Sequence, residues 1–145
     1  MITREVNVKD KQGEDISFEV VMLERDDVGS AAFRTNWKRD LRERLDWIYG
    51  TIRPRVCLVC GGLMSTYHLH HGILSRRNVQ GWKKPLRMLI EVEWNLIPLH
   101  DMCHLQHPPS REDCWIYQQD FYGRELLEEW LYSLPWKTGK PPRHY

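Results

Sequence analysis

An α+β fold in one domain is predicted by three observations. Residues 3–9 and 16–23 are two β-prone runs around Gly13, the pattern of a hairpin. Phe33, Trp37, Leu41, Leu45 and Ile48 recur at helical spacing and make one apolar stripe. Between residues 57 and 107 lie six of the seven histidines and three of the four cysteines, too dense a cluster for scatter.

Length and composition set the outer bounds. A chain of 145 residues with 41% hydrophobic side chains and seven tryptophans is large enough for one real core. No apolar run approaches the roughly 18 residues that a membrane span needs, so no membrane partner is expected. Met1-Ile-Thr-Arg-Glu-Val lacks an apolar signal core, and a cytoplasmic protein is expected. Cysteines in that setting are metal ligands before they are disulfides. Net charge is only +1, but it is segregated: residues 31–87 carry twelve basic and three acidic side chains, residues 88–133 two and nine. Segregation of this kind makes a phosphate-attracting face.

Four stretches follow in order. Residues 1–29 hold the hairpin, an accessory element without evident chemistry. Residues 30–55 hold the amphipathic helix, with Ser30 as N-cap and Gly50 and Pro54 as stops. Arg34, Lys38 and Arg42 form a basic stripe beside its apolar one. Residues 56–109 are the core. Here Thr66–His70 reads as a strand, 88–94 and 96–99 as extended chain, and 101–107 as a short helix ended by Pro108-Pro109. Residues 110–145 are a C-terminal helical region, capped by Ser110, split near Gly123 and ended by Pro135, with a loose basic tail over 137–145.

Within the core, Cys57-x2-Cys60 is answered by His100-x2-Cys103. Two such knuckles close a Cys3His tetrahedron around structural Zn2+, with Cys114 as an alternative to His100. Gly61-Gly62 lets backbone N–H groups fold round the thiolates. Between the knuckles stand His68, His70 and His71; Asn95 precedes the second knuckle, and His104 and His107 follow it. Hydrolysis of a phosphodiester needs a base for water, a cation for the phosphorane charge and help for the departing oxygen. Neutral imidazole suits the first task, and a divalent metal held by imidazole or carboxamide suits the others. Arg76, Arg77, Lys83 and Lys84, in the loop between the two halves, are expected to contact phosphates.

Cys57-x2-Cys60, His70-His71, then Asn95-Leu-Ile-Pro-Leu-His100-x2-Cys103-His104-x2-His107 resembles the HNH endonuclease family and its ββα-metal finger. The flanking Tyr122-Gly-Arg-Glu-Leu-Leu-Glu-Glu-Trp-Leu131 resembles phage-type members, which implies a bacterial or infected-cell cytoplasm and a phage packaging partner. The resemblance implies a metal-dependent endonuclease acting on DNA and leaving 5′-phosphate and 3′-hydroxyl ends. It implies His71 as general base, and Asn95 as metal ligand or as the residue fixing the loop that presents His71. It implies His104 on the metal or scissile phosphate, with His107 a second candidate for that place. His70 stands where many members have a metal-binding Asp, so the catalytic metal set is His70, Asn95, His104 and His107. Its nitrogen-rich character favours Mn2+, Ni2+ or Zn2+ over Mg2+. Two other readings stand beside this one: a non-catalytic zinc module binding nucleic acid or protein, and a degenerate nuclease with an assembly role.

Overall fold

A computed structural model describes residues 1–142; residues 143–145, the end of the expected tail, lie outside the described residues. Helices and two small antiparallel sheets make a mixed α+β architecture. No described helix is long and apolar enough to cross a membrane.

β1 (Ile2–Lys9) and β2 (Asp15–Met22) pair antiparallel from Ile2↔Met22 to Lys9↔Asp15. Gly13 turns the chain at φ +82°, a conformation that costs glycine little. α1 (Ala31–Trp47) begins where the side chain of Ser30 accepts from the Phe33 N–H at 3.0 Å. Its apolar stripe buries Trp37, Leu41 and Leu45, and the helix runs on into one π turn, Ile48–Ile52. The basic stripe beside it divides. Arg34 and Lys38 line a cavity described below, whereas Arg42 lies 3.8 Å from Asp46 and over the Tyr67 ring.

β3 (His68–His71) pairs with β4 (Leu96–Leu99), matching His68 to Leu99 and His71 to Leu96. The link between them departs from expectation. Residues 84–90 form a 3-10 helix with Pro85 in its first turn, and Glu93–Asn95 form another. Met88, Leu89 and Ile90 are buried in succession, so the stretch has no strand-like alternation to express. Tertiary contacts fix it instead. The indole N–H of Trp37 donates to the Glu91 carbonyl at 2.7 Å, that of Trp130 to the Leu89 carbonyl at 3.2 Å, and Arg44 ion-pairs with the fully buried Glu93.

α2 (Asp101–Gln106) follows β4 at once. α3 (Arg111–Tyr122) starts on Ser110, whose hydroxyl accepts from the Asp113 N–H. Gly123, at φ +90°, separates it from α4 (Arg124–Ser133), which buries Leu126, Leu127, Trp130 and Leu131.

The interior is in two parts. The larger joins the hairpin, α1, the 88–96 stretch and α4. The smaller has six buried residues, Cys57, Met64, Tyr67, Ile97, Leu99 and Cys114, with the zinc knuckles beside it. Six side chains are too few to hold a lobe by burial alone, so a cross-link there has a structural task. Arg53, which caps the π turn after α1, ties that turn to α3. It is 6% exposed, donates to the Gln118 Oε1 at 2.7 Å and to the Tyr117 carbonyl, and its guanidinium lies 4.0 and 4.2 Å from the Tyr117 and Phe121 rings.

Gly72 sits where β3 meets that small core. A Cβ there would lie 2.8 Å from both Cys114 Cβ and Ile97 Cδ1. Gly72→Ala is therefore expected to destabilise the fold by about 1–3 kcal/mol, the usual cost of overpacking. Chemical denaturation measures it, and an unchanged midpoint would mean that the contact relaxes freely.

Candidate functional site

The zinc ligands converge as their spacing predicts. One ligand atom each from Cys57, Cys60, His100 and Cys103 lies within 4.8 Å of the other three, and this is the one such group found among the described residues. The edge of a tetrahedral zinc–thiolate site is about 3.8 Å, so the quartet can hold a zinc ion. The first knuckle closes through backbone bonds, Cys57 N–H to the Gly62 carbonyl and Gly61 N–H to the Cys57 carbonyl, both 2.9 Å, with Gly61 at φ +74°. Gly62 leaves room for the ligand, because a Cβ would stand 3.2 Å from the His100 ring.

His100 arrives as a ligand with its tautomer set. Its Nε2–H donates to the Leu63 carbonyl at 3.1 Å, leaving the Nδ1 lone pair facing Cys60 Sγ at 3.1 Å. Burial alone would raise the Cys57 thiol; backbone N–H groups of Cys60, His100 and Val59 outweigh it and bring the thiol down to about 6. Burial and then the Cys60 and Cys57 sulfurs push Cys103 up to about 11. The part of the Cys103 shift that comes from neighbouring sulfurs is a crowding of negative charge that a divalent cation would balance. Cys114, the alternative ligand, is not in the group: it is fully buried against Gly72 and Ile97, where burial pushes it up to about 12.

The remaining histidines divide between the two faces of β3. His68 and His70 share a face, and both meet His104 of α2 edge to face, with ring centroids 5.8 and 5.3 Å away. His68 Nε2 also lies 3.3 Å from Asp101 Oδ1. Burial first, then His104 and His71, lower the pKa of His70, which keeps it neutral and able to ligate. His104 Nδ1 is buried without a hydrogen-bond partner. His71 faces the other way. Its Nε2 lies 2.9 and 3.1 Å from the two Glu91 carboxylate oxygens, and both side chains are only 17% exposed.

One member of the expected catalytic metal set is committed elsewhere. Asn95 is fully buried: its Oδ1 accepts from the N–H groups of Ile73 and Leu74, and its Nδ2 donates to the Leu74 and Ile90 carbonyls. All four bonding positions of the amide are spent, so it fixes the loop after His71 and is no metal ligand. Asn95→Ala leaves two N–H groups and two carbonyls unpaired in the interior. We expect a loss of about 3 kcal/mol or more in urea unfolding, at roughly 1–3 kcal/mol per abandoned group; a loss under about 1 kcal/mol would mean that the loop holds without it. His107 caps the C-terminus of α2, its N–H donating to the Cys103 carbonyl. α2 ends at Gln106, and His107 lines a shallow groove with Leu58, Val59 and Tyr117 beside the first knuckle.

The basic residues meet in one place. Arg76, Arg77 and Lys84 line a cavity of about 550 Å³, opposite Arg34 and Lys38 of α1, with Glu91 on its wall. Lys83, expected with them, is not among its lining residues. The basic stripe of α1 was legible in the sequence, and two of its three members, Arg34 and Lys38, line this cavity; Glu91 and Asp101 carried no local signal. The chain matches no protein-family model, no curated protein and no solved structure.

Proposed function

We propose that the chain is a metal-dependent endonuclease of the HNH kind, with β3, β4 and α2 as its ββα-metal finger, hydrolysing phosphodiester bonds of DNA. The observation that carries this reading is the pairing of His71 with Glu91 beside the loop that Asn95 clamps. A carboxylate accepting from Nε2–H leaves the Nδ1 lone pair of His71 as the base, and holds the ring against rotation. As water loses its proton to Nδ1, Glu91 stabilises the imidazolium that forms. His71 carries the proton until the 3′ oxygen or solvent takes it.

His70 and His104 would hold the divalent metal, since one is kept neutral and the other has a buried, unpartnered nitrogen. When bound, the metal supplies charge neutralisation at the phosphorane and support for the leaving oxygen. The structural zinc serves the same site indirectly. Its second knuckle opens α2, so it fixes where His104 stands relative to β3.

Supercoiled plasmid incubated with purified protein and Mg2+, Mn2+, Ni2+ or Zn2+, with chelator controls, tests the reading. Metal-dependent nicking or linearisation is expected; intact plasmid under every metal would sink it. The competing reading, a non-catalytic zinc module that binds a partner, draws on Leu63, Met102 and Leu105, which are exposed on the same segments as the zinc ligands.

A further inference from the structure

The cavity between α1 and the 76–90 segment has two walls from distant parts of the chain. Arg34 and Lys38, one helical turn apart, make the first; Arg76, Arg77, Lys84 and Arg87 belong to the second. Six cations thus face one space with a single carboxylate, Glu91, and that carboxylate is engaged by His71. Bonds to carbonyls orient two of the guanidiniums without neutralising them, Arg34 to Val28 and Arg87 to Gln80 and Trp82. Lys38, Arg76, Arg77 and Lys84 form no ion pair among the described residues.

Like charges gathered in one concavity repel one another, and a folded protein keeps such an arrangement at a cost that a bound polyanion offsets. One phosphate satisfies two or three such donors, so six call for phosphates in succession. The uncharged lining is Val79, Gln80, Met88 and Ile90, with no aromatic face on which an unpaired base would stack. That composition suits a sugar–phosphate backbone whose bases are already paired and turned away.

We propose that this cavity holds the backbone of one strand of double-stranded DNA through at least two consecutive phosphates, and leads it past Glu91 to His71. The binding stands on the cavity itself; the delivery to His71 rests on the nuclease reading. The basic stripe of α1 and the basic loop, separate in the sequence, thus meet on one cavity through Arg34, Lys38, Arg76, Arg77, Lys84 and Arg87, and Lys83 stands outside it.

The test is fluorescence anisotropy of the zinc-loaded full chain with labelled 20-base-pair duplexes of three unrelated sequences. No divalent metal is added, and salt is varied. Arg34→Gln/Lys38→Gln and Arg76→Gln/Arg77→Gln each remove two cations from one wall; Lys137→Gln/Lys140→Gln is the control. Each wall variant should weaken binding about 10- to 60-fold at 0.1 M salt, equally for all three duplexes. Each should also flatten the slope of log K against log[salt] by about 1.8, at about 0.9 per lost phosphate contact. The control should keep the parent slope. If the Arg34→Gln/Lys38→Gln protein melts early, the other pair, whose side chains make no hydrogen bond among the described residues, carries the comparison. Wall variants with the parent slope overturn the proposal, as does a parent that binds inorganic tripolyphosphate but no duplex. Flattened slopes without cleavage under any metal keep the cavity and remove the nuclease reading; cleavage with unchanged slopes does the reverse.

Discussion

Cys57→Ala is expected to lose its zinc and to melt about 10 °C or more below the parent. Structural zinc binds with roughly 10–16 kcal/mol in finger peptides, and that energy is folding energy. Only part of it is at stake here, because the larger core does not depend on the metal. A loss of about 3 kcal/mol already corresponds to a fall of about 10 °C in a domain of this size. Cys57 is the member to remove: it is 1% exposed and belongs to the six-residue core as well as the quartet. Elemental analysis for zinc alongside a thermal melt decides it. A parent without zinc, or a Cys57→Ala protein as stable as the parent, would show the quartet to be four adjacent side chains and nothing more.

His71→Ala should separate chemistry from scaffold. Cleavage should fall on the order of a hundredfold or more, the usual worth of a positioned base. Zinc content, melting temperature and duplex affinity should stay near those of the parent, because His71 is outside the quartet and does not line the basic cavity. Glu91→Gln keeps a side chain of similar shape but removes the charge that steadies the imidazolium, and should lose about tenfold or more. His70→Ala and His104→Ala should lose metal affinity instead, so excess Mn2+ should restore part of their activity and none of that of His71→Ala. Full cleavage by His71→Ala would move the base to His70 or His68.

The parts legible in the sequence are those fixed by local spacing. Cys57-x2-Cys60 and His100-x2-Cys103 converge because each knuckle is a short backbone motif, and the pairing of β3 with β4 brings the two together. The start of α1 at Ser30 and the break at Gly123 are equally local. What sequence misjudged is set by contacts across the chain. Residues 88–94 read as extended, yet hydrogen bonds from Trp130 to the Leu89 carbonyl and from Trp37 to the Glu91 carbonyl hold the end of the 84–90 3-10 helix and its cap. That turn is what puts Glu91 against His71, so the error about the backbone and the missed partner have one origin. Asn95 likewise appeared with two roles open, and only burial with a full set of bonds selects the loop-fixing one.

The ladder between β3 and β4 is four residues long, too short to persist in water on its own. One end, His68 opposite Leu99, abuts the second knuckle; the other, His71 opposite Leu96, abuts the Asn95 clamp. Seen as chain entropy, a zinc ion joining residues 57–60 to 100–103 would close a loop that contains β3, the basic segment, Glu91 and β4. By the reasoning used for covalent cross-links, closing a loop of that length removes about 4 kcal/mol of disorder from the unfolded chain. A metal held there would act on residues it never touches: it would shorten the search by which His70, His71 and Glu91 find one another, with the amide of Asn95 fixing the far end.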